Sequence, residues 1–157
     1  GNIVNSGSNA STGAINITAS DIKGSIVNQN GANFNNQITL DQSSKLGGIT
    51  NAENSTMSGQ LDLKGEVGTI TNAGTFDSTL TLSNKVGEIN NAEGGTISND
   101  ITINNNGSIG TLANAGTMQS ITIQQQGKVE NITNSGTMKD ITNNGTGTLT
   151  LTNSGGT

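Results

Sequence analysis

The stretch Leu112-Ala113-Asn114-Ala115-Gly116-Thr117-Met118 joins an aliphatic residue, an asparagine two positions later and a Gly-Thr pair, and variants of it return along the whole chain. The asparagine recurs in the same frame at Asn5, Asn28, Asn51, Asn72, Asn91, Asn114, Asn134 and Asn153. The preceding aliphatics are Ile3, Ile26, Ile49, Ile70, Ile89, Leu112, Ile132 and Leu151, at spacings of 19–23 residues. A unit of about 20 residues is too small to fold alone, so the repeat predicts a stack of coils that bury their apolar residues against one another.

Each repeat carries further apolar positions that read as strands. One bulky residue follows the Gly-Thr position, namely Phe34, Met57, Phe76, Ile97, Met118 or Met138. An alternating segment such as Leu80-Thr81-Leu82 comes next, and one more apolar residue, such as Val86, leads to the following aliphatic. Alternation of apolar and β-branched polar residues is typical of strands, and no segment keeps the 3.6-residue period of a helix. Each coil is therefore expected to contain three short strands.

Length differences between repeats are confined to two corners, and they come in steps of two residues. Steps of two leave every side chain on its original face, as a strand requires. Only the step of three or four residues after the bulky residue is expected to break this parity, which predicts a bend there. The sequence thus predicts an all-β chain: one parallel β-helix domain over residues 1–157, with about eight coils. A right-handed winding follows from the rule for parallel crossovers.

The recurring asparagine shares the inward face with its aliphatic neighbour. A column of inward carboxamides can donate and accept hydrogen bonds along the stack, which predicts a structural ladder of all eight asparagines. The alternative is a polar stripe that binds a ligand, and it requires the amides to be exposed.

The composition by itself lies near that of disordered or prion-like chains, with 29% hydrophobic and 11% charged residues. Two observations favour a folded chain. The net charge of -5 is small for 157 residues, and the aliphatics keep one register instead of being scattered.

The chain lacks the residues that several classes of partner and of chemistry require. Six lysines, no arginine and 1% aromatics offer neither phosphate clamps nor stacking platforms for nucleic acid. The chain has no cysteine for disulfides or thiolate metal sites and no apolar run of about 20 residues for membrane insertion. Residues 1–30 lack a signal-peptide core, so an export signal would lie outside this sequence.

Catalysis is not expected. The chain contains no histidine, arginine or tyrosine, and its eleven acidic residues occupy differing frames of the repeat. No calcium nonapeptide or phosphate loop occurs. We therefore predict no catalytic residues, no metal site and no cofactor.

Two columns of outward-facing residues suggest alternative functions. Thr39, Thr81, Thr102 and Thr122 form a threonine column that Asp62 interrupts, and threonine arrays of this kind order water in some ice-binding β-helices. Lys45, Lys85 and Lys128 recur before the last apolar residue of the repeat. They are expected to keep a sheet face soluble and to discourage sideways pairing, with a polyanion-binding stripe as the alternative.

The phrases at residues 70–75, 112–118 and 132–137 resemble the repeats of bacterial autotransporter passengers and of the related filamentous-haemagglutinin-like adhesins. The resemblance covers the whole chain and implies an exported Gram-negative protein whose β-helix holds a functional region away from the cell. It also implies an extracellular or cell-surface location, with a host or neighbouring cell surface, or a glycan, as partner. The long inserted loops that often carry activity in such proteins are lacking.

We therefore expect a structural, adhesive stalk, either a segment of a longer stack or a subunit. The alternative is a self-assembling extracellular filament whose subunits associate through open coil ends, since neither end of the sequence shows an amphipathic cap.

Overall fold

In the computed structural model, which describes all 157 residues, the chain winds into a parallel β-solenoid with three sheets along its length. Sheet 1 has eight strands: Ile3–Ser6, Asp21–Gln29, Lys45–Asn51, Glu66–Asn72, Lys85–Asn91, Ser108–Asn114, Lys128–Asn134 and Thr150–Asn153. Sheet 2 has six: Asn33–Phe34, Thr56–Met57, Thr75–Phe76, Thr96–Ile97, Thr117–Met118 and Thr137–Met138. Sheet 3 has seven: Ile15–Ile17, Ile38–Leu40, Leu61–Leu63, Leu80–Leu82, Ile101–Ile103, Ile121–Ile123 and Ile141–Asn143. The predicted fold class is confirmed.

The chain passes from sheet 1 to sheet 2, then to sheet 3 and back to sheet 1. The first coil lacks a sheet 2 strand, where no bulky residue stands, and the last contributes only its sheet 1 strand. The stack therefore has about seven coils, close to the eight predicted from the ladder positions. Right-handed winding stays a prediction.

Register follows the repeat. In sheet 1 every ladder aliphatic pairs with the next one along, and every ladder asparagine with the next asparagine, from Ile3 and Asn5 to Leu151 and Asn153. Most coil-length differences are absorbed at the corners, because a one-residue slip within a strand would turn its apolar side chains to solvent. The prediction that they are confined to two corners was wrong, because the register also shifts between Ile22 and Ser25, within the strand Asp21–Gln29.

The interior is one continuous apolar cluster of 28 buried residues, with Phe34 and Phe76 fully buried. Each apolar side chain packs against equivalents in the coils on either side, which is how coils of about 20 residues obtain a core. Ile3 and Leu151, the first and last ladder aliphatics, are exceptions at 36% and 53% exposure. A coil covers each of them on one side only.

The prediction of a single parity-breaking bend was wrong, because sheet 1 contains a second one. Val67 and Ile70 are both buried although three residues separate them within one strand. The chain turns between them at Gly68, where a Cβ would overlap the carbonyl oxygen of Gly47. Glycine fills the corresponding position in neighbouring coils, at Gly47, Gly87 and Gly110. The lack of a side chain allows successive backbones to approach at this bend.

Candidate functional site: the asparagine ladder and the corner shelves

The eight asparagines of the repeat form one hydrogen-bonded column through the stack. The Nδ2 of each asparagine donates to the Oδ1 of the asparagine in the next coil, in seven bonds of 2.8–3.0 Å from Asn5 to Asn153. The predicted ladder is therefore present. All of its bonds run in one direction. The Nδ2 of Asn153 therefore has no asparagine acceptor at one end of the column, and the Oδ1 of Asn5 has no asparagine donor at the other.

The ladder also ties sheet 1 to the corner that leads into sheet 2. Besides its bond to Asn51, the amide of Asn28 donates to the carbonyl oxygens of Ala32, at 3.0 Å, and Thr56, at 2.8 Å. Asn91 repeats this arrangement with Gly95 and Thr117. The Ala32 and Gly95 oxygens also accept from the backbone N–H groups of Thr56 and Thr117, so each carboxamide adds a second hydrogen bond to a corner carbonyl that the backbone already pairs.

The ladder side chains face the interior. From Asn5 to Asn134 these residues are 0–5% exposed, and only Asn153 in the last coil is exposed. A ligand-binding stripe would need accessible amides, and the seven buried members do not provide them. The geometry supports the structural role.

The threonine column of sheet 3 lies where the sequence predicts it. Thr39, Asp62, Thr81, Thr102 and Thr122 are in register and half-buried on the outer face. Only one residue per strand faces outward in this sheet, so the column is one side chain wide and a carboxylate interrupts it.

The recurring lysines belong to a column of mixed charge at the start of the sheet 1 strands. Asp21 pairs with Lys45, and Lys45 with Glu66, whose carboxylate lies 3.0 Å from the lysine Nζ. The hydrogen bond and the negative charge of Glu66 raise the pKa of Lys45. Lys128 contacts Glu130 at 3.3 Å. Asp21 and Glu66 are acidic, and Glu66 and the neutral Ser108 separate the lysines, so these residues do not form a continuous positive stripe.

One corner carboxylate has a structural task. Asp41 begins the turn between sheets 3 and 1, where it accepts hydrogen bonds from the hydroxyl of Ser44, at 2.6 Å, and from the backbone N–H of Ala19, at 3.0 Å. The Ser44 bond is the main cause that lowers the pKa of Asp41, with smaller contributions from Ala19 and Ser43. The ionised carboxylate thereby joins two consecutive coils.

The remaining titratable groups are dispersed. No three histidine, cysteine, aspartate or glutamate side chains lie close enough together to hold a metal ion. No helix of sufficient length and apolarity to cross a membrane is present.

Corner length shapes the surface between sheets 3 and 1. Two residues, Ser83 and Asn84, connect the strands in one coil, whereas four residues, 104–107 and then 124–127, do so in the next two. The longer turns overhang the short corner and form a shelf of about 370 Å³, lined by Ser83, Asn104, Asn105, Asn106 and Gln124. We name this feature the amide shelf. These residues belong to no predicted site, and the difference in corner length is the sequence signal that marks them.

A second depression runs along the glycine bend of sheet 1. This groove, of about 360 Å³, has Gly47, Gly68 and Gly87 in its lining and is bordered by charged residues that include Lys45 and Glu66. Two ion pairs in its lining, Lys23–Asp21 at 2.7 Å and Lys45–Glu66 at 3.0 Å, already neutralise four of its five charged side chains.

Together, the three sheets and the ladder define a parallel β-solenoid whose polar interior column is structural. Comparison with protein-family models, with curated proteins and with solved structures finds no match to this chain.

Proposed function

We propose that this chain is a structural stalk of a secreted or surface-displayed bacterial protein, and that it serves adhesion without catalysis. The observation that carries the proposal is the continuity of the stack: one ladder of seven asparagine bonds and one apolar core extend from the first coil to the last. Because every coil joins the ladder and the core in the same way, no single coil is a weak point at which the rod would bend. At about 4.8 Å per coil, seven coils extend roughly 34 Å.

Three further features support the stalk. The corners are short, the outer faces are polar, and the repeats resemble those of autotransporter passengers. A rod of this kind holds an attached region at a fixed distance from a cell surface, and its length grows by adding coils.

Stiffness is tested by single-molecule energy transfer between dyes on two introduced cysteines. The chain has no cysteine of its own, so Ser8→Cys and Thr148→Cys, in exposed corners near opposite ends, give unique labelling sites. We expect one narrow transfer peak. A broad distribution, like that of a flexible polar linker of equal length, would contradict a stiff stalk.

Adhesion is tested by displaying the chain on a bacterium that lacks other adhesins and by counting bacteria attached to cultured cells. We expect more attachment than with the membrane anchor alone. Equal attachment would remove the adhesive part of the proposal and leave the stalk.

A self-assembling filament is the second candidate, and the direction of the ladder favours it. Asn153 Nδ2 donates only to the Gly156 carbonyl, and Asn5 Oδ1 accepts no hydrogen bond, so one copy could donate to the next in a head-to-tail stack. The exposed Ile3, Val4 and Leu151 would be covered in the same contact. Electron microscopy over a range of concentrations decides the matter: long unbranched fibres support the filament, and short rods at every concentration contradict it.

A further inference from the structure

We propose that the amide shelf is a binding site for a neutral glycan. The inference rests on the adhesive part of the proposed function and assigns that adhesion a ligand class and a location. It starts from two stacked turns whose backbones are held in the same conformation.

The two turns that form the shelf have matching hydrogen bonds. Gly107 N donates to the Asn104 carbonyl oxygen at 2.8 Å, and Gly127 N donates to the Gln124 carbonyl oxygen at 2.9 Å. Both glycines are buried, and a Cβ on either one would collide with backbone oxygen of the preceding coil. The turns are therefore fixed in place relative to each other, so the backbone positions from which their amides project are set before a ligand arrives.

The shelf retains unused hydrogen-bonding capacity. Asn104 Nδ2 donates to Ser83 Oγ at 3.1 Å, and Asn105 Oδ1 accepts from Gln126 N at 3.3 Å. The side chains of Asn106 and Gln124 form no hydrogen bond within the chain, and no charged residue lines the shelf. A carboxamide places donors and an acceptor side by side, and each hydroxyl group of a sugar both donates and accepts.

Other ligand classes fit less well. An anion would require a cationic group and a metal ion would require carboxylates, and the shelf lining contains neither. A peptide that binds by adding a strand needs an open sheet edge, but neighbouring coils cover the sheets on both sides at this level of the stack. A neutral polyhydroxylated ligand remains. Without an aromatic platform, we expect a Kd per site of about 1 mM.

Native-gel affinity electrophoresis provides the test, because the net charge of -5 drives the chain toward the anode. The probes are dextran and galactomannan, both neutral, and heparin as a polyanion. We expect retardation by at least one neutral polysaccharide and none by heparin. In the double variant Asn106→Ala/Gln124→Ala, we expect the Kd for that polysaccharide to rise about tenfold or more.

Gln125→Ala is the matched control, since Gln125 belongs to the same turn as Gln124 but does not line the shelf. It should bind like the unmodified chain, and thermal unfolding of all variants by circular dichroism should coincide. The inference is overturned if neither neutral polysaccharide retards the chain, if heparin alone does so, or if the double variant binds as well as the control.

The outcome for the shelf is separable from that for adhesion. Attachment of displaying bacteria without retardation by dextran or galactomannan would overturn the shelf and keep the adhesive stalk. Retardation that the double variant abolishes, without attachment to cells, would keep the shelf and remove cell adhesion.

Discussion

Substitution of Asn91, in the middle of the ladder, tests whether the asparagine column stabilises the stack. Its amide donates to Asn114 Oδ1 at 2.8 Å and to the carbonyl oxygens of Gly95 and Thr117, and its own Oδ1 accepts from Asn72 at 2.9 Å. The side chain is fully buried. Asn91→Ala removes the bond from Asn72 and the two amide hydrogens that these three acceptors share, and it leaves the buried Asn114 Oδ1 without its donor, whereas the Gly95 oxygen keeps the backbone N–H of Thr117.

The expected magnitude follows from these contacts. Two donated hydrogens and one accepted hydrogen bond at a net contribution of about 0.5–1.5 kcal/mol each, together with one unpaired buried oxygen, give a loss of about 2–5 kcal/mol in the free energy of unfolding. Asn153→Ala is the matched control, because Asn153 is exposed and accepts a single ladder bond, from Asn134. We expect that variant to lose about 1 kcal/mol or less.

Urea unfolding followed by far-ultraviolet circular dichroism measures both variants; the chain lacks tryptophan and tyrosine for fluorescence. A loss for Asn91→Ala no larger than that for Asn153→Ala would refute a stabilising ladder. Asn91→Asp adds a finer test: its carboxylate can still accept from Asn72 but places an oxygen against Asn114 Oδ1. It should be destabilised at pH 7 and partly rescued on acidification, because the protonated carboxyl can donate again.

Three further measurements test other parts of the structure. The pKa of Asp41 is lowered from 3.8 in the folded state, so the ionised carboxylate stabilises the fold above pH 3.8 and this stabilisation is lost as pH falls through the folded pKa. The difference in urea midpoint between the unmodified chain and Asp41→Asn should therefore shrink between pH 7 and pH 2. Gly68→Ala should cost about 1–3 kcal/mol in urea unfolding and more than Gly110→Ala, whose Cβ would clash less severely, at 2.7 Å from backbone oxygen; equal costs would contradict the account of the glycine bend. We expect no thermal hysteresis in freezing assays, because the threonine column of sheet 3 is one residue wide and Asp62 interrupts it; clear hysteresis would revive ice binding as the function.

Much of the fold could be predicted because the repeat is regular. The ladder positions, the alternating segments and the bulky residues identify the buried face of nearly every strand, and the structure places them in register. The bend at Gly68 was missed because it lies within one continuous strand, and a glycine is the only residue type in the sequence that indicates it. The exposure of Ile3 and Leu151 agrees with the open coil ends that the sequence predicted, although the repeat pattern is the same for end coils and for covered ones.

The sequence by itself determined the class of fold, the inward direction of the asparagines and the corners at which coil length changes, because these depend on periodicity and on the parity of strands. Only the tertiary structure decided which surfaces those length changes create. A four-residue corner becomes an overhang only when a two-residue corner lies beside it in the stack, and the two are separated by about 20 residues along the chain. The direction of the ladder and the mixed charge of the lysine column likewise arise from contacts between coils, and a single repeat contains neither.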